Sequence, residues 1–340
     1  MSKKRITIKD IARLTGLSVA SVSMALNNDP RVAENTKRLV LETAEKLDYV
    51  PDSIGRALSS KRIGAIAVVI PHSSHSVFSH PYFNEIFEGV TEVANNHDFT
   101  IILSTSSGKQ EEEDAYVKLL RTRRADGCIV ASASIKDENI YRLESFGYQV
   151  VVLGRRDNYS GVSVTIDDMG GAEQVVTHLI EKHGLRRIAH ISGPLGHRSA
   201  VDRLEGYRNV LGRHGIPYDE NLVMEGDFSQ ESGEFACRQL LERKREFDAI
   251  FAANDEMAFA SLKVLEEHAI EVPSDVALVG FDDISFSRII KPPLTTVSQP
   301  MTEVGRLAAT RLIDLLDGKT VEPDIVEFPT KLVVRKSCGC

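Results

Sequence analysis

Over residues 8–47 the apolar positions recur at helical spacing, and turn-forming residues interrupt them. Thr7 precedes the stretch Ile8 to Leu14 with Asp10 three residues on, which predicts a helix start where an acid reaches back to its cap. Thr15-Gly16-Leu17 then reads as a tight turn, and Ser18 caps a second helix, Val19 to Leu26. That helix turns Val22, Ala25 and Leu26 inward and leaves Val19, Ala20, Ser23, Met24 and Asn27 on its other faces. A third helix, Glu34 to Leu47, carries Leu39, Val40, Ala44 and Leu47 at core spacing and closes a small bundle. The layout is that of a helix-turn-helix; its plain alternative is a helical hairpin.

After Lys61-Arg62-Ile63-Gly64 the pattern changes to long strand–helix alternation. Buried strands are predicted at Ala65 to Pro71, Thr100 to Leu103, Cys128 to Ala131, Val150 to Leu153, Ile188 to Ile191, Ala249 to Ala252 and Val276 to Val279. Amphipathic helical stretches between them imply parallel sheets covered on both faces, and the length of this region favours two lobes with a cleft between them. The predicted architecture is a small all-α helix-turn-helix domain plus an α/β two-lobed domain. Residues 1–50 form the first, 51–62 a hinge helix and linker, and 63–340 the second.

Charge sharpens the picture. The net charge of −8 speaks against a protein that coats nucleic acid, yet residues 1–62 carry +5 and the remainder −13. Only the front end suits phosphate. The stretch MSKKRITIKD lacks the apolar core of a signal peptide, and no run approaches the roughly 18 apolar residues that span a bilayer, so the expected location is the cytoplasm and no membrane partner is expected. The four cysteines, Cys128, Cys237, Cys338 and Cys340, are too scattered for a disulfide framework and are read as free thiols.

The segment Thr7 to Asn27 (TIKDIARLTGLSVASVSMALN) and the stretch Arg31 to Val69, with its Tyr49-Val50-Pro51 corner, resemble the LacI/GalR family of bacterial repressors. The resemblance continues through HISGP (His190 to Pro194), EGDFSQESG (Glu225 to Gly233), AANDEMA (Ala252 to Ala258), VGFDDI (Val279 to Ile284), PPLTTVSQP (Pro292 to Pro300) and LVVRKSCG (Leu332 to Gly339). It implies a sequence-specific DNA-binding transcriptional regulator, a repressor of a carbohydrate-utilisation operon under control of a sugar-like effector.

For DNA, the resemblance implies that the second helix enters the major groove, with Thr7, Ser18, Val19, Ala20, Ser23, Met24 and Asn27 at the interface. Val19, Ala20 and Met24 stand at base-reading positions, and all are apolar. Many relatives carry Arg where this chain has Met24, so thymine methyl contacts replace the usual guanine contact in this reading. Ala33 departs from the Ser that often caps the third helix, and Glu34 offsets the lost cap. The hinge, Ser53 to Leu58, is too short to be helical alone. In the family two hinges pair across a dimer on a palindromic operator, and the residue matching Leu58, beside Ala57, wedges into the minor groove. A homodimer is therefore expected.

For the effector, the resemblance places Arg203, Asn254 and Asp282 at ligand-contacting positions, with Tyr82, Phe83 and Phe228 as aromatic walls of a periplasmic-binding-protein-like cleft. Arg and carboxylate groups suit vicinal hydroxyls, and an aromatic face suits the apolar side of a pyranose. A purine or sugar phosphate acting as corepressor remains an alternative. Taken singly, Phe83 and Phe228 read equally as core, Arg203 as a solvated helix residue, Asp282 as a helix cap and Asn254 as an N-cap. Gly154 departs from relatives with an acid at this place, which Arg155 or Arg156 could offset.

Enzymatic readings find no support. The Gly-Lys of Ser106 to Gln110 lacks the first glycine of a phosphate loop and the Ser/Thr after Lys109. No nucleophile elbow, metalloprotease motif or dinucleotide fingerprint occurs, so no catalytic residue and no cofactor is expected. Cys338-Gly339-Cys340 offers two soft ligands, but no His or third Cys accompanies it in the sequence, and the expectation is an exposed tail without a metal. A pure small-molecule binding protein is the competing class; it would have no use for a basic helix-turn-helix.

Overall fold

The computed structural model describes residues 6–26, 29–49, 62–71, 77–78, 80–105, 116, 119–122, 124–243 and 246–340. The chain divides into two compact units, Met1–Ala65 and Ile66–Cys340.

In the first unit, α1 spans Ile8–Thr15, α2 Val19–Leu26 and α3 Glu34–Lys46. The backbone N–H and hydroxyl of Thr7 both donate to the Asp10 carboxylate, at 3.0 and 2.8 Å, fixing the start of α1. Gly16 ends it at φ 69°, the left-handed conformation that glycine adopts without penalty. Ser18 Oγ accepts from the Ser21 N–H at 3.1 Å and caps α2. Ile11, Ala12, Val22, Ala25, Val40 and Ala44 make the core. Leu39 was expected in it and is instead 46% exposed. The buried stripe of α3 runs Lys37, Val40, Ala44, and Leu39 sits one residue off it. Lys37 fills the stripe with its methylenes and carries its ammonium out to Glu34 at 2.9 Å.

The second unit has two lobes. Strands β1 (Ala65–Ile70), β2 (Thr100–Thr105), β3 (Gly127–Ala131), β4 (Gln149–Leu153), β5 (Val162–Ile166) and β11 (Ile325–Phe328) form a sheet ordered β11-β5-β4-β3-β1-β2. Pairs β1–β3, β3–β4, β4–β5 and β5–β11 are parallel. Helices α4 (Pro81–Asn96), α5 (Asn139–Ser145) and α10 (Met301–Leu316) belong to this lobe. The other lobe has the all-parallel order β7-β6-β8-β9, with β6 at Ile188–Ser192, β7 at Val223–Glu225, β8 at Ala249–Ala252 and β9 at Ala277–Val279. Its helices are α6 (Asp168–His183), α7 (Arg198–Arg213), α8 (Gln230–Glu242) and α9 (Asp255–Glu267). The chain passes between lobes after β5, after β10 (Thr296–Ser298) and before β12 (Lys331–Val333), and β10 and β12 pair antiparallel. These connections set the strand ends of both sheets around one cleft.

The tail differs from expectation. Cys338 is buried, and only Cys340 is exposed; all four cysteines are free. Ser337 holds the segment in place, its N–H and hydroxyl reaching the Pro293 and Leu278 carbonyls, and β12 returns the tail against α6. There the two cysteine sulfurs meet His178 and His183, ligands that sequence distance concealed.

Candidate effector cleft and DNA-reading helix

A cavity of about 70 Å³ opens between the lobes, lined by Tyr82 at the start of α4, Ser132 after β3, Gly154 and Arg155 after β4, Asp168 at the start of α6, and Arg198, Asp202 and Arg203 on α7. Ser132, Gly154 and Arg155 follow strands, Tyr82, Asp168 and Arg198 open helices, and Asp202 and Arg203 lie in the second turn of α7, as this topology dictates. At that size the cavity falls well below the roughly 300 Å³ of ordinary ligand pockets, so admitting a ligand would require the lobes to part.

Arg203 organises the site. Its Nε donates to Asp168 Oδ1 at 2.8 Å, its Nη1 to the Ala253 carbonyl at 2.5 Å, and Nη1 lies 3.7 Å from Asp282 Oδ1. The guanidinium stacks 3.7 Å from the Phe281 ring centroid and 5.9 Å from that of Phe228. Burial pushes the Asp168 and Asp282 carboxyls upward, and Arg203 pulls both back. Asp282 also accepts from the Gln299 amide. On the same helix Arg198 lies 2.8 Å from Asp202 and 2.9 Å from Asp157.

Asn254 takes the capping role that the sequence offered. Its Oδ1 caps α9 by accepting from the Met257 N–H at 2.9 Å, while Nδ2 donates to the Phe228 carbonyl at 2.9 Å and to His80 Nε2 at 3.1 Å. His80 stands at the N-cap position of α4 in the opposite lobe; with Nε2 accepting from Asn254, its Nδ1 carries the proton and does not accept from the Tyr82 N–H. Burial and the nearby Arg203 push its pKa down to about 4, so the ring is neutral and Nε2 accepts.

The aromatic residues separate. Tyr82 lines the cavity. Phe83 is buried in the lobe core, edge-on to Tyr82 and His80, and does not line the cavity. Phe228 is half-buried and packs on Gly193 so closely that a Cβ there would come within 2.1 Å of the ring. Three non-glycine residues around the cleft adopt left-handed backbone: Ser132 at φ 58°, Phe228 at φ 70° and Asp282 at φ 121°. Such strain persists where surrounding structure fixes it and concentrates at ligand clamps. Gly154 has φ 107°, so the acid of other family members would strain the backbone here. Arg156 does not replace that acid, since its guanidinium donates to the Ser134, Ile135 and Asp137 carbonyls. Arg155 is exposed at the rim.

Sequence reasoning missed His80, Asp168, Asp202 and Arg198. Asp168 belongs to the Asp167-Asp168 pair behind VSVTI, but that strand was itself not predicted; His80 had no signal.

In the first unit, Val19 and Ala20 are exposed on α2, and Ser23 and Met24 are partly exposed beside them. Thr7 and Ser18 are exposed at the two helix starts, each hydroxyl already engaged in its cap. Lys9 and Arg13 flank this surface. Asn27, Ala57 and Leu58 lie outside the described residues.

Residues 7–52 match the family described as bacterial regulatory proteins, lacI family, and residues 176–338 match the periplasmic binding protein-like domain. The transcriptional regulator CelR of Thermobifida fusca is 36% identical over 98% of this chain and 99% of its own. The structure of a CelR–cellobiose complex is similar with a TM-score of 0.77 and 35% identity, covering 98% of this chain and 100% of that one. The lac repressor dimer bound to operator and the anti-inducer ONPF has a TM-score of 0.85 and 27% identity, covering 98% and 99%. This likeness runs along nearly the whole chain: the protein belongs to the LacI family of DNA-binding bacterial transcription regulators, whose members are not enzymes.

Proposed function

We propose that the chain is a homodimeric, cytoplasmic repressor of carbohydrate-utilisation genes, whose hold on a palindromic operator is released by a sugar bound between the lobes. The observation that carries the effector reading is the buried Arg203–Asp168 pair at 2.8 Å, with Asp282, Asp202 and Tyr82 around it. Alternating carboxylate and guanidinium groups donate to and accept from neighbouring hydroxyls, and Tyr82 offers a ring face beside them. CelR is described in complex with cellobiose, which makes a disaccharide the first ligand to try. The lobe movement that admits it would shift the two copies of the sensor unit relative to each other and so weaken their joint hold on the operator.

The test is a melting-temperature panel of cellobiose, other sugars, sugar phosphates and purines on the full chain. A ligand at 100 times its Kd adds about 2.7 kcal/mol. The expected hit is a neutral sugar that also lowers operator affinity in a gel shift. A purine or phosphorylated hit that tightens operator binding would replace induction by corepression, and a hit that leaves operator affinity unchanged would overturn the allosteric reading. Because coupling is reciprocal, operator must weaken sugar binding by the same factor, typically about 5- to 150-fold.

A further inference from the structure

The last two turns of α6 and the C-terminal segment bring four soft or borderline ligands to one point. His178 Nε2 lies 3.3 Å from His183 Nε2, and each cysteine sulfur lies 3.5 Å from His178 Nε2. Cys340 Sγ lies 3.3 Å from His183 Nε2, and all four atoms fall within 4.8 Å of one another. A zinc ion with Zn–N near 2.05 Å and Zn–S near 2.3 Å, bound tetrahedrally, separates its ligands by about 3.3 Å for N–N and about 3.5 Å for N–S. The four N–N and N–S separations given above, 3.3, 3.5, 3.5 and 3.3 Å, match those values closely, whereas a packing cluster would have no reason to direct two imidazole nitrogens and two sulfurs at a common centre.

We propose that His178, His183, Cys338 and Cys340 form a structural zinc site. Four protein ligands leave no open position, which is the arrangement of a structural rather than a catalytic ion. Two nitrogens and two sulfurs in a tetrahedron select zinc over magnesium, calcium or manganese. The backbone is shaped for it: Gly339, at φ 99°, turns the chain between the two cysteines, and a Cβ there would lie 3.5 Å from His183 Nδ1. The ion would clip the segment after β12 to the far end of α6. The near end of that helix begins at Asp168, the partner of Arg203 in the cleft. The site thus anchors one of the chain's passages between lobes, independently of which effector binds.

Reduced full-length protein, stripped with a chelator and titrated with Co(II), tests the proposal. One equivalent per chain should give the intense visible bands of tetrahedral cobalt with a thiolate-to-metal charge-transfer band, and Zn(II) should displace it. Zn(II) should also raise the melting temperature and shield Cys340 from a thiol reagent. Cys340→Ser and His183→Gln change residues that are not in the core. Each should lower zinc affinity by more than the roughly 10- to 100-fold that loss of an outer-shell partner causes. Failure to bind cobalt, a weak octahedral spectrum, or full affinity in both variants would overturn the proposal. So would a Cys338–Cys340 disulfide that persists in reductant.

Discussion

Asn254 in one lobe donates from Nδ2 to His80 Nε2 in the other, at 3.1 Å, so the side chain that caps α9 and the residue that precedes α4 are tied across the cleft. The tie requires the His80 tautomer with its proton on Nδ1; the other tautomer would cap α4 through the Tyr82 N–H instead. The Asn254 oxygen is held by the Met257 N–H, and its amide also serves the Phe228 carbonyl. A ligand that parts the lobes must break this tie, and a neutral hydrogen bond of this kind contributes about 1 kcal/mol.

His80→Ala should therefore raise amide exchange on both sides of the cleft, by about fivefold for the opening that breaks one such bond. Peptides covering residues 80–86 and 227–232 report the two sides in hydrogen-exchange mass spectrometry. Faster exchange confined to the first would mean that His80 only caps its own helix.

Removing Arg203 has a different consequence, because it strands charge. Asp168 and Asp282 are buried, and Arg203 supplies the cation that both face. Arg203→Ala should cost about 3–5 kcal/mol in the urea transition of the sensor unit, as for other broken buried pairs. Adding Asp168→Asn should recover part of that loss, since one stranded carboxylate is gone. Arg203→Lys keeps the charge but cannot hold Asp168, the Ala253 carbonyl and the Phe281 face together, so it should fall between. A single variant within about 1 kcal/mol of the parent would show that the pair is solvated.

For DNA, the apolar surface of Val19, Ala20 and Met24 makes a specific prediction. Met24→Arg places a bidentate donor where the chain now has a thioether, and each good Arg–guanine pair is worth about 1–3 kcal/mol of discrimination. Half-sites selected from a random duplex pool should move towards guanine at one position. Unchanged half-sites would show that Met24 does not face the bases.

How much of this was legible in the sequence depended on length and pattern. The helices of the first unit were readable because caps and turns mark their ends, and α2 falls on Val19–Leu26 as predicted. Strands with unbroken apolar runs, such as AIAVVI of β1, were equally clear. β5 was not, because Ser163 and Thr165 break its apolar run although both are buried. β7, β10 and β12 have three residues each, too few for any period to show. Motifs pointed to Arg203, Asn254 and Asp282, but their partners, His80 in the other lobe and Asp168 on α6, depend on contacts that only folding creates. The same holds for the cysteines and histidines, whose meeting needs both β12 and the full length of α6.

The fully buried His190 gives the last prediction. It stands on β6 between the rings of Tyr207 and Phe251, at 5.1 and 4.7 Å between centroids. Its Nδ1 bonds the Phe251 carbonyl at 2.8 Å and so carries the proton, while Nε2 has no partner. Burial first, then Arg203 and Arg208, push its pKa down to about 4. In the unfolded chain a histidine titrates near about 6.5. Between these values the unfolded state binds a proton that the folded state refuses, so stability from this group is complete above the unfolded pKa and is lost as pH falls towards 4. His190→Phe keeps the stacking and removes the proton site. The variant is expected to be less stable than the parent at pH 7, where its hydrogen bond is missed, but the gap should narrow by about 2 kcal/mol on going to pH 5. Asp255, whose burial raises it to about 7, titrates in both proteins and cancels from the difference. Urea midpoints of parent and variant at the two pH values measure the gap; parallel curves would mean that the folded His190 takes up a proton as readily as the unfolded chain.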